Sequence, residues 1–318
     1  MEPVLAAVVD RLESLLGAAA ARDAPLGART TYRVGGPASL VVEVGDDRQL
    51  DAVTACLAAA PGAVPILVLG NGSNLLVADR GFAGVVVTLG AGFSAVDVRV
   101  DGEGTGATVR AGAAVSLPVL ARRTVAAGLR GMEWSVGVPG SVGGAVRMNA
   151  GGHGAETRDV LLGARWVDLV SGETTCGDVE RLGLGYRRSV LGPCDLVVEA
   201  TFGLEVGDAD AGGRALTEVV RWRREHQPGG SNAGSVFQNP PGASAGALVD
   251  AAGLKGFRMG TAQVSPKHAN FIQADPGGSA DNVVRLIRYV QDEVERATGV
   301  LLHPEVRLVG FAPELCPR

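Results

Sequence analysis

Gly137-Val138-Pro139-Gly140-Ser141-Val142-Gly143-Gly144-Ala145 puts four glycines, a proline and a serine into nine residues. That is too dense for an ordinary connector. Glycine turns the chain at positive φ and lets backbone N–H groups approach an anion closely. Met148-Asn149-Ala150-Gly151-Gly152 continues the tight turns. A nucleophile elbow is a near miss, because Pro139 stands where its first glycine belongs. A second cluster lies upstream: Leu69-Gly70-Asn71-Gly72-Ser73-Asn74-Leu75, after the apolar run Pro65–Leu69 and before the strand-like Leu75–Val77. Its backbone amides with Asn and Ser donors suit a pyrophosphate; the alternative is a plain β-turn. It is no dinucleotide fingerprint, since Leu75 replaces the third glycine and no helix follows. No Gly-Lys-Ser/Thr occurs, which excludes a P-loop. Together the two clusters predict nucleotide binding.

The rest of the chain fits a two- or three-domain enzyme. It has 318 residues and a net charge of -5, without a Lys/Arg run. Such a charge argues against a nucleic-acid binder, which usually carries a basic patch, and gives no support to a membrane-surface role. No stretch of about 18 apolar residues predicts a span. The N-terminus carries Glu2 and Asp10 and reads as an amphipathic helix over 1–21, not a signal peptide. Cys56, Cys176, Cys194 and Cys316 form no CxxC pair, so the expectation is a cytoplasmic protein without disulfides or a metal site. Glycine numbers 47; compositional bias explains part of that, but not the tight clusters.

Local signals predict α+β architecture, with helices and strands not in strict alternation. Strands are expected at 40–44, 65–69, 85–89, 95–100 and 108–111, then through much of 164–202. Asp46 reads as the cap of a helix to Ala60, and Ser116 as the cap of one to Gly128. Residues 128–154 read as a long glycine-punctuated loop, and 208–213 as a linker before an Arg-rich helix at 214–225. Further helices are expected at 244–252 and 279–298, with short strands around Gln263 and at 269–273. A final strand is expected at 305–310, on which Glu305, Arg307 and Val309 would share a face.

Seven segments, in order, carry a resemblance over about 31–310. They are Thr31-Tyr32-Arg33-Val34-Gly35-Gly36, Gly70-Asn71-Gly72-Ser73-Asn74-Leu75-Leu76, Gly137-Val138-Pro139-Gly140-Ser141-Val142-Gly143-Gly144, Tyr186-Arg187-Arg188-Ser189, Gly234-Ser235-Val236-Phe237-Gln238-Asn239-Pro240, Ala252-Gly253-Leu254-Lys255-Gly256 and Pro304-Glu305-Val306-Arg307. The chain resembles the UDP-N-acetylenolpyruvoylglucosamine reductases, the MurB family of flavoenzymes. Ser235 follows Arg187 by only 48 residues, which is similar to the form without a substrate-covering insertion, called type II.

The resemblance implies a PCMH/vanillyl-alcohol-oxidase-type FAD-binding region of two subdomains at 29–205 (about 29–90 and 91–205). An N-terminal helix at 1–28 would precede it, and a C-terminal α+β substrate-binding domain at 206–318 would follow. It implies non-covalent FAD, contacted by Gly70, Asn71, Gly72, Ser73, Asn74, Gly137, Pro139, Gly140, Ser141, Gly143, Gly144 and Asn149. NADPH would be the co-substrate and a UDP-sugar enolpyruvyl compound the substrate, in a monomer without metal, nucleic-acid or membrane partners. Ser235 would be the proton donor, with Arg187 and Glu305 stabilising the enolate. Tyr186, Asn239, Lys255, His268 and Arg307 would touch substrate. His268 and Gln238 depart from the glutamine and the basic residue common at those positions.

Each residue also has a plainer reading. Ser235 could be a turn serine, Arg187 a strand-end ion pair, Glu305 a strand-edge ion pair, and Tyr186 core. Two other functions compete. A PCMH-type oxidase often tethers flavin through His or Cys, and neither glycine loop holds one. A non-catalytic binding module would be expected to lose at least one of Arg187, Ser235 and Glu305, and all three are present.

Overall fold

The computed structural model describes residues 2–102 and 104–318. They form two compact units, each built from separated segments. The first takes the chain up to Arg22, Leu40–Asn71 and Gly84–Arg223; the second takes Asp23–Ser39, Gly72–Ala83 and Arg224–Arg318. The chain does not pass between units at residues 29 and 206.

In the first unit, α1 (Pro3–Leu16) starts with proline in its first turn and stops at Gly17, φ 53°. The expected helix reached Ala21, and its first residue, Met1, lies outside the described residues. Next come β1 (Ala20–Ala24), β2 (Ala38–Val44), α2 (Asp47–Ala58), β3 (Ile66–Leu69), β4 (Leu75–Val77, in the second unit) and β5 (Phe82–Leu89). Asp46 caps α2 by accepting the Gln49 N–H. The sheet order is β1-β2-β5-β3, with β3 parallel to β5. Its apolar residues share a core with Leu5, Val8, Val9 and Leu12 of α1 and Leu50, Val53 and Leu57 of α2.

A second core of the same unit forms from β6 (Val96–Val100), β7 (Gly106–Gly112), α3 (Leu117–Ala126), β8 (Leu129–Arg130), α4 (Val142–Met148), the hairpin β9 (Gly151–Gly152) to β10 (Ala155–Glu156), β11 (Leu161–Asp168), β12 (Thr174–Asp178), α5 (Val179–Leu182) and β13 (Asp195–Val206). The antiparallel order is β12-β11-β13-β7-β6, with β8 also on β13. Ser116 precedes α3 but its side chain makes no cap.

Two expectations fail here for one physical reason. Residues 128–154 are not all loop: Ser141 accepts the Gly144 N–H and starts α4. Residues 208–213 are no linker, because α6 (Ala209–His226) already runs through them. In both places glycines serve packing where they were read as breakers. A Cβ on Gly212 would lie 2.8 Å from Val125 Cγ1.

The second unit joins α7 (Ala245–Ala251), the antiparallel sheet β14 (Arg258–Met259), β15 (Ala262–Val264) and β16 (Ile272–Ala274), α8 (Ala280–Thr298) and β17 (Arg307–Val309). Val283, Val284, Ile287, Val290 and Val294 give α8 a buried stripe at helical spacing. Ser279 accepts the Asn282 N–H, and Gly299 closes the helix at φ 72°. β17 pairs in parallel with β4, which explains why 72–83 belongs to this unit. Asp79, just past β4, accepts the Ala280 N–H at 2.8 Å and the Asp281 N–H at 3.2 Å. Asp79→Ala is therefore expected to lower stability by about 1–2 kcal/mol, as for loss of an N-cap; urea unfolding measures it.

Strand β17 is shorter than expected: it starts at Arg307, so Glu305 precedes it. Arg307 is exposed while Val306 and Val309 are buried. Arg307 and Val309, two apart in the strand, share a side, and Glu305 lies outside it.

Candidate active site

Within the first unit the start of the upstream glycine loop meets the downstream one. Asn71 Nδ2 donates to the Pro139 carbonyl at 3.2 Å. A Cβ on Gly70 would lie 2.5 Å from Ser141 Oγ, so a side chain there would displace the Ser141 hydroxyl. The Gly143 N–H goes to the Ala113 carbonyl at 3.0 Å, and the Gly144 N–H to Ser141 Oγ at 3.3 Å. Both amides are thus engaged by protein acceptors. A Cβ on Gly137 would meet Val219 Cγ1 at 3.0 Å and Arg223 Cδ at 3.2 Å.

The rest of the upstream loop lies in the second unit. Thr31 donates its N–H to the Gly72 carbonyl at 3.1 Å. Thr31 Oγ1 and Tyr32 Oη are buried without a hydrogen-bond partner. An unpaired buried hydroxyl costs about 1–3 kcal/mol, so Thr31 Oγ1 beside Gly72 fits a polar ligand group. In the second unit, this hydroxyl is the observation that suits a polar ligand group. Asn74 is placed differently from a phosphate donor: its Nδ2 donates to the Glu305 carbonyl at 3.1 Å.

Arg187 sits in a turn in which Gly185 and Arg188 exchange backbone hydrogen bonds. It has φ 55°, a strained region for a non-glycine residue. Its guanidinium donates to the Gly151 carbonyl at 3.2 Å and reaches the Asn149 carbonyl at 3.5 Å. Its Cζ lies 5.0 Å from the centre of the Tyr186 ring, and Tyr186 is half exposed, not core. Asn149, fully buried with φ 42° at the end of α4, donates Nδ2 to the Gly185 carbonyl and accepts the Arg158 N–H through Oδ1. Its side chain thus supports the Arg187 turn through protein contacts.

Ser235 and Glu305 lie on neighbouring segments of the second unit. Phe237 forms an antiparallel bridge with Pro304. The Glu305 N–H donates to the Val236 carbonyl at 2.7 Å, and the Gln238 N–H to the His303 carbonyl at 2.9 Å. Gly234, φ 77°, turns the chain into Ser235, and Asn232 Oδ1 accepts the Gly234 N–H at 3.0 Å.

The expected substrate contacts are less concentrated. Asn239 caps α7, its Oδ1 accepting the Ala245 N–H at 3.0 Å. Lys255 pairs with Asp250 at 3.4 Å. His268 is half-buried, and its Nδ1 accepts the Asn270 N–H at 3.3 Å. Burial pushes its pKa below the ordinary 6.5, a backbone hydrogen bond opposes this, and the charge of Lys255 adds to it. The folded protein therefore binds this proton less well than the unfolded chain, and the contribution of neutral His268 to stability is present above pH 6.5 and lost as pH falls below it. His268→Gln is expected to flatten this part of the acid loss of Tm, measured against wild type between pH 7.5 and pH 5. Asn270, missed in the sequence, emerges as the residue that joins His268 to the Ser235 segment. The signal was a polar Asn between apolar Ala269 and Phe271.

Comparison with known proteins gives concordant matches. Residues 226–309 match the model for the UDP-N-acetylenolpyruvoylglucosamine reductase C-terminal domain, and residues 38–177 match an FAD binding domain. The chain is 40% identical over 295 residues to the UDP-N-acetylenolpyruvoylglucosamine reductase of Rubrobacter xylanophilus, covering 92% of this chain and 96% of that one. It is 42% identical over 292 residues to that of Heliobacterium modesticaldum, covering 90% and 89%. The crystal structure of the Thermus caldophilus reductase superimposes with a TM-score of 0.77 at 37% identity, covering 90% of this chain and 97% of that one. Among the described residues, no helix is long and apolar enough to cross a membrane.

Proposed function

Since the chain belongs to the UDP-N-acetylenolpyruvoylglucosamine reductase family and carries its FAD-binding domain, we propose that it is the NADPH-dependent reductase that converts UDP-N-acetylglucosamine enolpyruvate to UDP-N-acetylmuramate for peptidoglycan precursors. FAD, when bound, would supply the redox chemistry that links NADPH to C3 of the enolpyruvyl double bond. Gly70–Ser73 and the Gly137–Ser141 half of the second loop would hold its pyrophosphate, while Asn74 is engaged by the Glu305 carbonyl.

The chain's own residues handle the charge and the proton. Hydride addition at C3 leaves an enolate spread over C2 and the carboxylate. Arg187 binds that carboxylate, where a guanidinium offers two parallel hydrogen bonds. Ser235 gives its hydroxyl proton to C2; a serine is a weak acid, so it must be held against a strongly basic carbon. Glu305 shares a proton with the enolised carboxylate, which favours its protonated form. Tyr186, Asn239, Lys255, His268 and Arg307 contact the substrate in this reading. It is a cytoplasmic monomer of the type II form.

The observation that carries this reading is the pairing of the Ser235–Gln238 segment with His303–Glu305. A proton donor and a carboxyl group sit on adjacent, hydrogen-bonded backbone. The purified protein is expected to be yellow, and to oxidise NADPH only when the enolpyruvyl sugar nucleotide is added, with UDP-N-acetylmuramate identified by mass. NADPH oxidation with oxygen alone, at the same rate, would favour a flavin oxidase instead.

A further inference from the structure

Phe237 is buried, 1% exposed. Its neighbours Val236 and Gln238 use one backbone group each on the 303–305 segment. In such antiparallel pairing, backbone groups alternate between the two sides of a strand, so the N–H and C=O of Phe237 face away from 303–305. Among the described residues no strand pairing receives them. The side chain of Asn270 takes that place. Its Oδ1 accepts the Phe237 N–H at 2.9 Å, and its Nδ2 donates to the Phe237 carbonyl at 2.9 Å. Its own carbonyl accepts the Val236 N–H at 2.8 Å. Asn270 is 4% exposed, and its N–H is held by His268 Nδ1 at 3.3 Å. One residue thus acts as an edge strand.

The residue after Ser235 is therefore gripped on both sides, by Asn270 at its N–H and by Glu305 at its C=O. A one-residue slip in such pairing turns every side chain to the opposite face. We infer that Asn270 is the positioning residue for Ser235: its side-chain amide fixes the register of Ser235–Gln238 against His303–Glu305, and so the direction of the Ser235 hydroxyl. The inference rests on the reading of Ser235 as proton donor. Asn270 itself touches neither substrate nor cofactor in this account. Only an amide has the paired acceptor and donor that Phe237 requires. Ionised aspartate accepts the N–H but cannot donate to the carbonyl.

The test uses the FAD-loaded enzyme and follows the two half-reactions separately. Asn270→Ala is expected to leave reduction by NADPH within about twofold of wild type and to slow reduction of the enolpyruvyl sugar nucleotide about 10- to 100-fold, the scale of a small misplacement of a reacting group. Sugar-nucleotide affinity should change little, and the solvent deuterium isotope effect on the second half-reaction should rise as proton transfer becomes limiting. Ile272→Ala, in the same core at 1% exposure, provides a matched stability loss and should leave the isotope effect unchanged. Should Asn270→Ala not fold, the near-isosteric Asn270→Asp carries the same comparison. Equal loss in both half-reactions, or a second half-reaction like that of Ile272→Ala, overturns the inference. Wild-type enzyme that cannot reduce the sugar nucleotide at all overturns the underlying reading, and the inference with it.

Discussion

Ser235→Ala is expected to leave flavin reduction by NADPH within about twofold of wild type while slowing reduction of the enolpyruvyl sugar nucleotide by about 10²- to 10⁴-fold, the range for removing a positioned proton-transfer group. The split follows from the chemistry. The first half-reaction moves a hydride and needs no proton on the sugar nucleotide. The second needs a proton at C2, and no other group is assigned to give it. Ser235 is only partly buried, so loss of its hydroxyl leaves no strongly desolvated partner unpaired. Stability should therefore be close to wild type, which separates a chemical role from a structural one. Anaerobic stopped-flow measurement of both half-reactions checks this. Equal slowing of both would make Ser235 a turn residue.

Gly35→Ala is expected to lower stability strongly. Gly35 has φ 107°, and a Cβ there would lie 2.2 Å from the Val77 carbonyl oxygen. That obstacle is backbone and cannot swing aside. The backbone strain and the clash together cost about 3 kcal/mol or more. In a unit of this size that lowers Tm by roughly 6–12 °C. Its neighbour Gly36 faces the Asp79 carbonyl at 2.3 Å in the same way. The Thr31–Gly36 motif is thus explained by close packing on β4, which in turn carries β17 and the Asp79 cap of α8. A thermal melt within a degree or two of wild type would show that this packing is looser than described.

These residues also show what a sequence can and cannot display. Caps are local, so Asp46 was readable as the start of α2, and helices were expected at 244–252 and 279–298; Ser116, read as a cap in the same way, makes no side-chain cap. The glycine clusters were readable as clusters, but their purposes were not. Gly143 and Gly212 sit inside helices because their missing side chains let other elements close in, and that neighbour is far away in sequence. The parallel pairing of β4 with β17 joins positions more than two hundred residues apart, with no local signal. Asn270 escaped notice for the same reason, since its partners, Val236 and Phe237, lie outside its own segment. Ser235, Arg187 and Glu305 were picked out as candidates through the order of their motifs. The expected strand through Glu305 starts instead at Arg307.

The central claim is that reduced enzyme passes its electrons to the enolpyruvyl sugar nucleotide. It is tested most directly by reducing the FAD-loaded protein with one equivalent of NADPH under anaerobic conditions and then mixing it with UDP-N-acetylglucosamine enolpyruvate. The account predicts rapid return of the oxidised flavin spectrum and one equivalent of UDP-N-acetylmuramate. Flavin that stays reduced with the sugar nucleotide, and re-oxidises only when oxygen is admitted, would contradict it.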